Sequence, residues 1–405
     1  MNSKTSHTKL IAWVIWTTVS IFYAYQYILR VMPNIMINDI MEHFQINAAT
    51  FGQFSGFYYL GYSLMHLPIG IMLDRYGPKK VMTGCILLTV LGLTPLIFAD
   101  HWVYPILGRL LIGIGSSAAI LGVFKIIRMT FSKEKFPKIL SFSVTIGLLG
   151  AIYGGGPVAY LQKMLGYQVV VQIFAIAGIV LAALTYWIVP SNQGPSEKTV
   201  FSNIKEVICN YRVILTCLFA GLMVGPLEGF ADVWGTVFLQ QVYGYSGTVA
   251  ASLPSMIFVG MCFGAPVLSY FAGKVNSYIG TIIASALIMA IGFSSMLFWR
   301  LPAEVLSCNF VLVGICCAYQ ILAIYKASTY VRDEVSGLTT AIANMIIMIF
   351  GYAFHSVIGA TINLMGGPSA TLALIYGTAV IPAALIIAVI GFSYLLLQEK
   401  KPVIA

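Results

Sequence analysis

Between positions 70 and 80 the chain reads Gly70-Ile71-Met72-Leu73-Asp74-Arg75-Tyr76-Gly77-Pro78-Lys79-Lys80. Apolar runs at 51–73 and 81–99 flank it. Each run is about the 20 residues that a helix needs to cross the hydrocarbon core of a bilayer. The stretch therefore reads as a short charged turn between two membrane spans. Gly77 permits the tight turn, and Gly70 permits close approach of a neighbouring helix. Asp74 is an anion between helix ends, placed to interact with Arg128 and with the helix N-terminus near Ser336-Gly337.

Outward from this turn the pattern repeats. Further apolar runs lie near 10–30, 103–126, 138–162 and 168–189, and then near 213–240, 249–272, 278–299, 304–328, 336–362 and 369–397. As helices, all twelve satisfy their own backbone hydrogen bonds in lipid. Composition agrees: 59% of residues are hydrophobic and 9% charged, against roughly 45–50% and 25% in soluble domains. A surface so poor in charge needs lipid as its solvent.

The net charge of +9 is spread between the runs and is not gathered on one module, which argues against nucleic-acid binding. The seven cysteines show no CxxC or His-rich spacing, so neither a disulfide framework, a metal site nor a cofactor is expected. The run from Leu10 to Ile28 is long for a signal-peptide core and lacks a small-x-small cleavage site; it reads as the first, uncleaved span.

The expected fold is an all-α membrane protein of twelve transmembrane helices in two pseudo-symmetric six-helix bundles, residues 1–190 and 213–405. A cytoplasmic linker, 191–212, joins them and carries Pro195, Glu197, Lys198, Lys205 and Glu206. The symmetry is written in the chain. Gly113-Ile114 precedes Ile120-Leu121 and Phe124-Lys125, and Gly314-Ile315 precedes Ile321-Leu322 and Tyr325-Lys326 at identical spacing. Both stretches fall in the fourth run of their half, as an internal duplication requires. With the N-terminus inside, sixteen lysines and arginines fall in cytoplasmic segments and three, Arg30, Lys163 and Arg300, in outer ones. That bias places both termini in the cytoplasm.

The turn at 70–80 resembles the cytoplasmic signature loop of the major facilitator superfamily: Gly, three residues, Asp, a basic residue, one residue, Gly, then basic residues. Six plus six spans, a long middle linker, and Arg109 with Gly113 and Gly115 in the fourth span extend the likeness over the whole chain. The resemblance implies an alternating-access secondary transporter. It also implies that Gly70, Asp74, Arg75, Gly77 and Arg128 form a conformational gate favouring the outward-open state. The second half departs from the pattern, since Lys274 follows Gly264 with no matching Asp. The glycines at 147, 150 and 154–156 match the family's antiporter motif only in part, and read as a close-packed, bendable helix. Arg30-Val-Met-Pro33, Phe57-Tyr58-Tyr59, Tyr62, Leu67-Pro68-Ile69-Gly70 and Trp234-Gly235 are similar to a bacterial branch near the organic-anion symporters and the lysosomal dipeptide transporter. That likeness implies small carboxylates, amino acids or peptides.

A charged side chain at mid-membrane costs about 2.5–3.5 kcal/mol, so those that persist face a cavity or a partner. Glu228 and Asp232 are four apart on one face, just after Gly225-Pro226, which should loosen the helix. They either share a proton, as a coupling site would, or form a structural ion pair with a neighbouring Arg or Lys. Tyr23, Tyr27 and Arg30 share one face of the first span, and Tyr58, Tyr62 and His66 one face of the second. The tyrosines line a wet cavity or belong to an interfacial belt. His66 is a proton-coupling candidate or a hydrogen-bonded packing residue, and the same alternatives hold for His355. Lys125 and Lys326, the repeat-related pair, either face each other across the cavity and attract an anion or snorkel to the interface.

These residues suit a transporter of a small carboxylate-bearing or zwitterionic solute, coupled to protons, working as a monomer in a bacterial cytoplasmic membrane. The absence of a P-loop argues against direct ATP drive, and no nucleophile–base or metal constellation suggests an enzyme. A siderophore or drug carrier of the same fold, or a non-transporting sensor, is the alternative.

Overall fold

The computed structural model describes residues 2–191, 200–332 and 335–400. Pro195, Glu197 and Lys198 of the expected linker, and Lys401, lie outside the described residues. Twelve long helices follow one another among the described residues, and we number them α1 to α12. In the first half these are α1 (Asn2–Val31), α2 (Ala48–Tyr76), α3 (Pro78–Leu93, continued by Pro95–Phe98), α4 (Val103–Thr130), α5 (Phe136–Gly154, continued by Gly156–Leu165) and α6 (Tyr167–Ile188). In the second half they are α7 (Tyr211–Gln241), α8 (Gly247–Ser252 and Ser255–Val275), α9 (Tyr278–Phe298), α10 (Ala303–Cys317 and Tyr319–Ser328), α11 (Ser336–Leu364) and α12 (Thr371–Lys400).

Ten of these are long and apolar enough to cross a membrane. The other two, α1 and α2, are 30 and 29 residues long but carry Gln26, Arg30, His66 and many tyrosines. Their polarity is explained by where those side chains lie, at the buried centre between the halves. The expected spans thus all form, as two pseudo-symmetric six-helix bundles.

The duplicated Gly-Ile pairs have one structural role. A Cβ added at Gly113 of α4 would lie 2.0 Å from the carbonyl oxygen of Tyr58 on α2, and one at Gly61 would lie 2.3 Å from that of Leu110. In the second half, a Cβ at Gly314 of α10 would lie 2.0 Å from the oxygen of Ile257 on α8, and one at Gly260 would lie 2.0 Å from that of Val311. In each bundle the second and fourth helices therefore cross backbone to backbone, through glycines at corresponding positions. Only residues without a side chain allow this approach.

Two short helices were not expected. Ile37–His43 follows α1, and Val200–Cys209 lies within the stretch read as linker. Val207 of the latter is fully buried, and Glu206 is paired bidentately with Arg332, at 2.6 and 3.2 Å. Both helices are too short to leave a periodic signal.

The alternating helices define two ends. The turn after α2 is tight because Gly77 has φ +82°; we call this the Gly77 end, where α1 starts and α12 finishes. The other is the Asn34 end. The halves are knitted together at the Asn34 end. Asn34 donates to the Ala231 carbonyl at 3.1 Å and accepts from the Thr236 amide at 3.2 Å. The segment around Gly155 abuts Ala251 and Ser255 of α8. Towards the Gly77 end the cross-half contact of α2 with α11 reaches His66 and Asn344, 3.4 Å apart. Beyond it, the ion pairs Lys125–Asp74 and Lys326–Glu399 each stay inside one half.

Candidate functional site

Two arginines and two carboxylates are deeply buried among the described residues: Arg30, Arg109, Glu228 and Asp232, all of them at or below 6% exposure. Of these four, three carry the cross-half contact. Arg30, at the last turn of α1, donates through Nη2 to Glu228 and through Nε to Asp232, the latter at 2.5 Å. Tyr59 of α2 donates its hydroxyl to the same two carboxylates. The cluster therefore joins the first half to the second through an ion pair shut away from water. Such a pair holds only while its members stay together, because a lone buried charge is strongly unfavourable.

Local sequence places each member. The backbone of α7 widens into a π-helix over Gly225–Trp234. Pro226 offers no N–H at the start of this turn, and the wider turn brings Glu228 and Asp232 together towards Arg30. π-turns inside longer helices are frequent at functional sites. The expectation that Gly225-Pro226 loosens the helix is met in this form, and the ion-pair alternative for the two acids is the arrangement found.

Arg109 does not touch the acids. It donates to the carbonyls of Leu29 at 2.8 Å and Arg30 at 3.4 Å, and lies over the rings of Tyr58 and Phe54. These carbonyls close the C-terminal end of α1, where a cation is favoured. Arg109 thereby fixes the backbone from which Arg30 reaches across.

Tyrosines wall the cluster. Arg30 lies over the rings of Tyr27 and Tyr59, at 5.1 and 5.2 Å. Tyr23 packs edge-on against Tyr27, and Tyr58 donates to Gln26 at 2.7 Å. Tyr62 stacks between Tyr58 and His66. Of the residues expected at the site, Tyr23, Tyr27, Arg30, Tyr58, Tyr62, Glu228 and Asp232 are thus brought together, with His66 at the edge of the group.

Lys125 and Lys326 are not. Each sits at the Gly77 end, on an acid of its own half: Asp74 at 2.6 Å and Glu399 at 2.7 Å. The acid missing after Gly264 is supplied to Lys326 by α12. Of the expected gate residues, Gly70, Asp74 and Arg128 line one cavity of about 260 Å³, together with Lys125. Arg128 lies over Phe136, and Arg75 over Tyr76. Asp74 is held by Lys125; its expected partners Arg128 and the Ser336-Gly337 helix start are not the ones it bonds.

The residue that sequence reading passed over is Tyr59. An i, i+4 stripe selects Tyr58, Tyr62 and His66. Tyr59 belongs to the adjoining stripe Gly52, Ser55, Gly56, whose small residues mark the face against α11. That stripe was the available signal.

Two matched helical halves meeting on a buried, charged centre define a polytopic membrane protein. The chain belongs to the Major Facilitator Superfamily, whose profile matches residues 19–355. It is a multi-pass membrane protein of that family. The chloramphenicol resistance protein CraA of Acinetobacter baumannii is 25% identical over 197 residues, 46% of this chain and 46% of CraA. The chain spans about half the length of the curated relatives it matches. A bacterial homologue of the human lysosomal transporter Spinster, in an inward-facing and unoccupied conformation, aligns over 96% of this chain and 97% of its own. Its TM-score is 0.76 and its identity 17%. The nucleoside transporter NupG, as a point mutant, aligns over 94% and 99% with TM-score 0.78 and 14% identity.

Proposed function

We propose that the protein is a proton-coupled, alternating-access carrier of a small zwitterion, an amino acid or short peptide. The observation that carries this reading is Arg30 held across the interface by Glu228 and Asp232. A ligand bearing a carboxylate and an ammonium group can replace that pair pole for pole: Arg30 turns to the carboxylate, and the two acids turn to the ammonium. The exchange leaves buried charge unchanged, so it opens the interface without stranding an ion. A plain organic acid would leave Glu228 and Asp232 facing its charge. The tyrosines offer aromatic faces to the ammonium and hydroxyls to the rest of the solute.

Two carboxylates on one arginine leave room for a coupled proton, which makes symport the preferred mode and Glu228, Asp232 and His66 its candidate groups. The halves 1–190 and 213–405 would rock about the cluster as two bodies, with 191–212 as linker. The lysine and arginine bias supports cytoplasmic termini in a bacterial inner membrane, which makes the Asn34 end the outer one. The conformer with that end closed is then inward-facing, consistent with an Asp74 gate that does not reach the second half. The protein acts as a monomer in this reading.

The test is a thermal-shift panel of amino acids, dipeptides, organic acids, siderophores and chloramphenicol, since a ligand of the folded state raises apparent stability. Counterflow in proteoliposomes follows, with alanyl-alanine as the first probe. Exchange of zwitterions, with uptake driven by an inward proton gradient, is expected. Exchange confined to organic acids or chloramphenicol refutes the substrate class. No exchange of any panel member refutes the carrier reading in favour of a sensor.

A further inference from the structure

The imidazole of His355 stands out from every other buried polar group described. It lies on α11, 0% exposed, and neither ring nitrogen has a partner among the described residues. Its ring rests on that of Tyr59, with centroids 5.4 Å apart and planes at 32°. Buried polar atoms are normally satisfied, and an unmet one costs about 1–3 kcal/mol. The helices that enclose the histidine are packed closely around it. A Cβ at Gly52 would lie 2.3 Å from the His355 carbonyl oxygen, one at Gly351 would lie 2.5 Å from the Tyr59 ring, and one at Gly359 would lie 2.5 Å from the Ala48 oxygen. Glycines thus press α2 and α11 together above and below the ring. Separation of α2 from α11 at the Asn34 end would give the imidazole water.

We propose that His355 is a further proton-coupling residue, which takes up a proton when α2 and α11 part and surrenders it through Tyr59 as they close. In the parted state the ring meets water and titrates near neutrality, as histidine does. In the closed state an imidazolium would be a third cation beside Arg30 on α1 and Arg109 on α4, with no acid of its own. The acids on α7, Glu228 and Asp232, are engaged by Arg30 and Tyr59. While water still separates α2 from α11, the ring N–H gives its proton to that water, which passes one to the Tyr59 oxygen as the Tyr59 hydroxyl gives its own to a carboxylate oxygen, and the ring then closes neutral and unpartnered. The balance is a neutral imidazole, an unchanged tyrosine and one protonated carboxyl group. This step rests on the proton-coupled reading above and adds the group that loads the proton.

The test uses spin labels at Glu42→Cys and Thr248→Cys, both exposed at the Asn34 end, in a background with the exposed Cys209 and Cys308 changed to Ser. Distances are measured in ligand-free protein in lipid nanodiscs from pH 7.5 to 5.5. For one proton bound on opening, the open-to-closed ratio rises by up to about tenfold per pH unit of acidification. His355→Gln should show both distances and lose that response, whereas Glu228→Gln should keep it. Tyr59→Phe, which retains the ring contact, should open with acid but lose proton-driven uptake of alanyl-alanine. An unchanged response in His355→Gln, or none in the unmutated chain, overturns the proposal; full uptake by Tyr59→Phe overturns the transfer step. A His355-dependent response without counterflow would instead refute the carrier reading and leave His355 as the proton-binding group.

Discussion

Arg109 of α4 donates to the carbonyl oxygen of Leu29, 2.8 Å away, at the last turn of α1. One buried arginine thus sets the position from which another, Arg30, spans the interface. Arg109→Leu should leave the α1 terminus without its donor, a loss of about 1–3 kcal/mol. It should also slow exchange while leaving Glu228 and Asp232 in place. Thermal unfolding and counterflow check this; normal exchange in a destabilised protein would mean that Arg109 only packs.

Removing Arg30 itself has a different signature. Arg30→Gln strands two buried carboxylates, which should destabilise the protein by about 3–5 kcal/mol. The triple variant Arg30→Gln, Glu228→Gln, Asp232→Asn should regain most of that loss in a melting experiment and remain inactive in counterflow. Recovery of transport in the triple variant would show the charges to be structural only.

The twelve spans were legible in the sequence because lipid imposes a length and a polarity that few other environments do, and their ends were placed within a few residues except at the start of α1, which begins at Asn2 and not near Leu10. The turn after α2 was legible because Gly77 and Asp74 stand at fixed spacing. Arg30, Glu228 and Asp232 could be singled out because a charge among apolar residues must have a reason. What pairs with what was hidden. Arg30 lies 198 and 202 residues from its partners in the chain, and helical periodicity says which face a residue takes, not which helix that face meets. Lys125 and Lys326 illustrate the same limit: their equivalence was visible, yet one finds its acid in an adjacent turn and the other on the last helix.

The repeat-related glycines should respond alike. Gly113→Ala and Gly314→Ala each put a methyl group into a carbonyl of the crossing helix, and each should destabilise by about 1–3 kcal/mol. Equal melting shifts for the two variants are expected, and a marked inequality would argue that the crossings are not equivalent.

Gly155 lies where the halves abut at the Asn34 end. A Cβ there would stand 2.5 Å from the Ser255 hydroxyl and 2.9 Å from the Ala251 carbonyl. Gly155→Val should hold that end apart, lengthening the Glu42–Thr248 label distance and abolishing exchange with little change in yield. An unchanged distance distribution would mean that the seam closes elsewhere.

The Glu206–Arg332 pair predicts an acid-sensitive element outside the spans. The Arg332 guanidinium, donating to Glu206, holds its carboxyl below the usual glutamate range. A depressed value means that the contact is present at neutral pH and is lost as pH falls through the folded-state value, below that range. Amide exchange in Val200–Cys209 should therefore quicken at acid pH and in high salt. Glu206→Gln should show the faster exchange already at neutral pH.

The paired glycine crossings carry a consequence for how the carrier does its work. They weld the second helix of each half to the fourth, while the boundary between halves joins the glycine contacts of α2 with α11 to polar contacts that, in the mechanism proposed above, a solute and a proton replace. In the proton-coupled cycle proposed above, energy from the gradient would then go into swinging two stiff jaws past one another, with little lost to flexing either one. A poison aimed at the moving parts would do best as a wedge in the hinge line and worst against the rigid flanks.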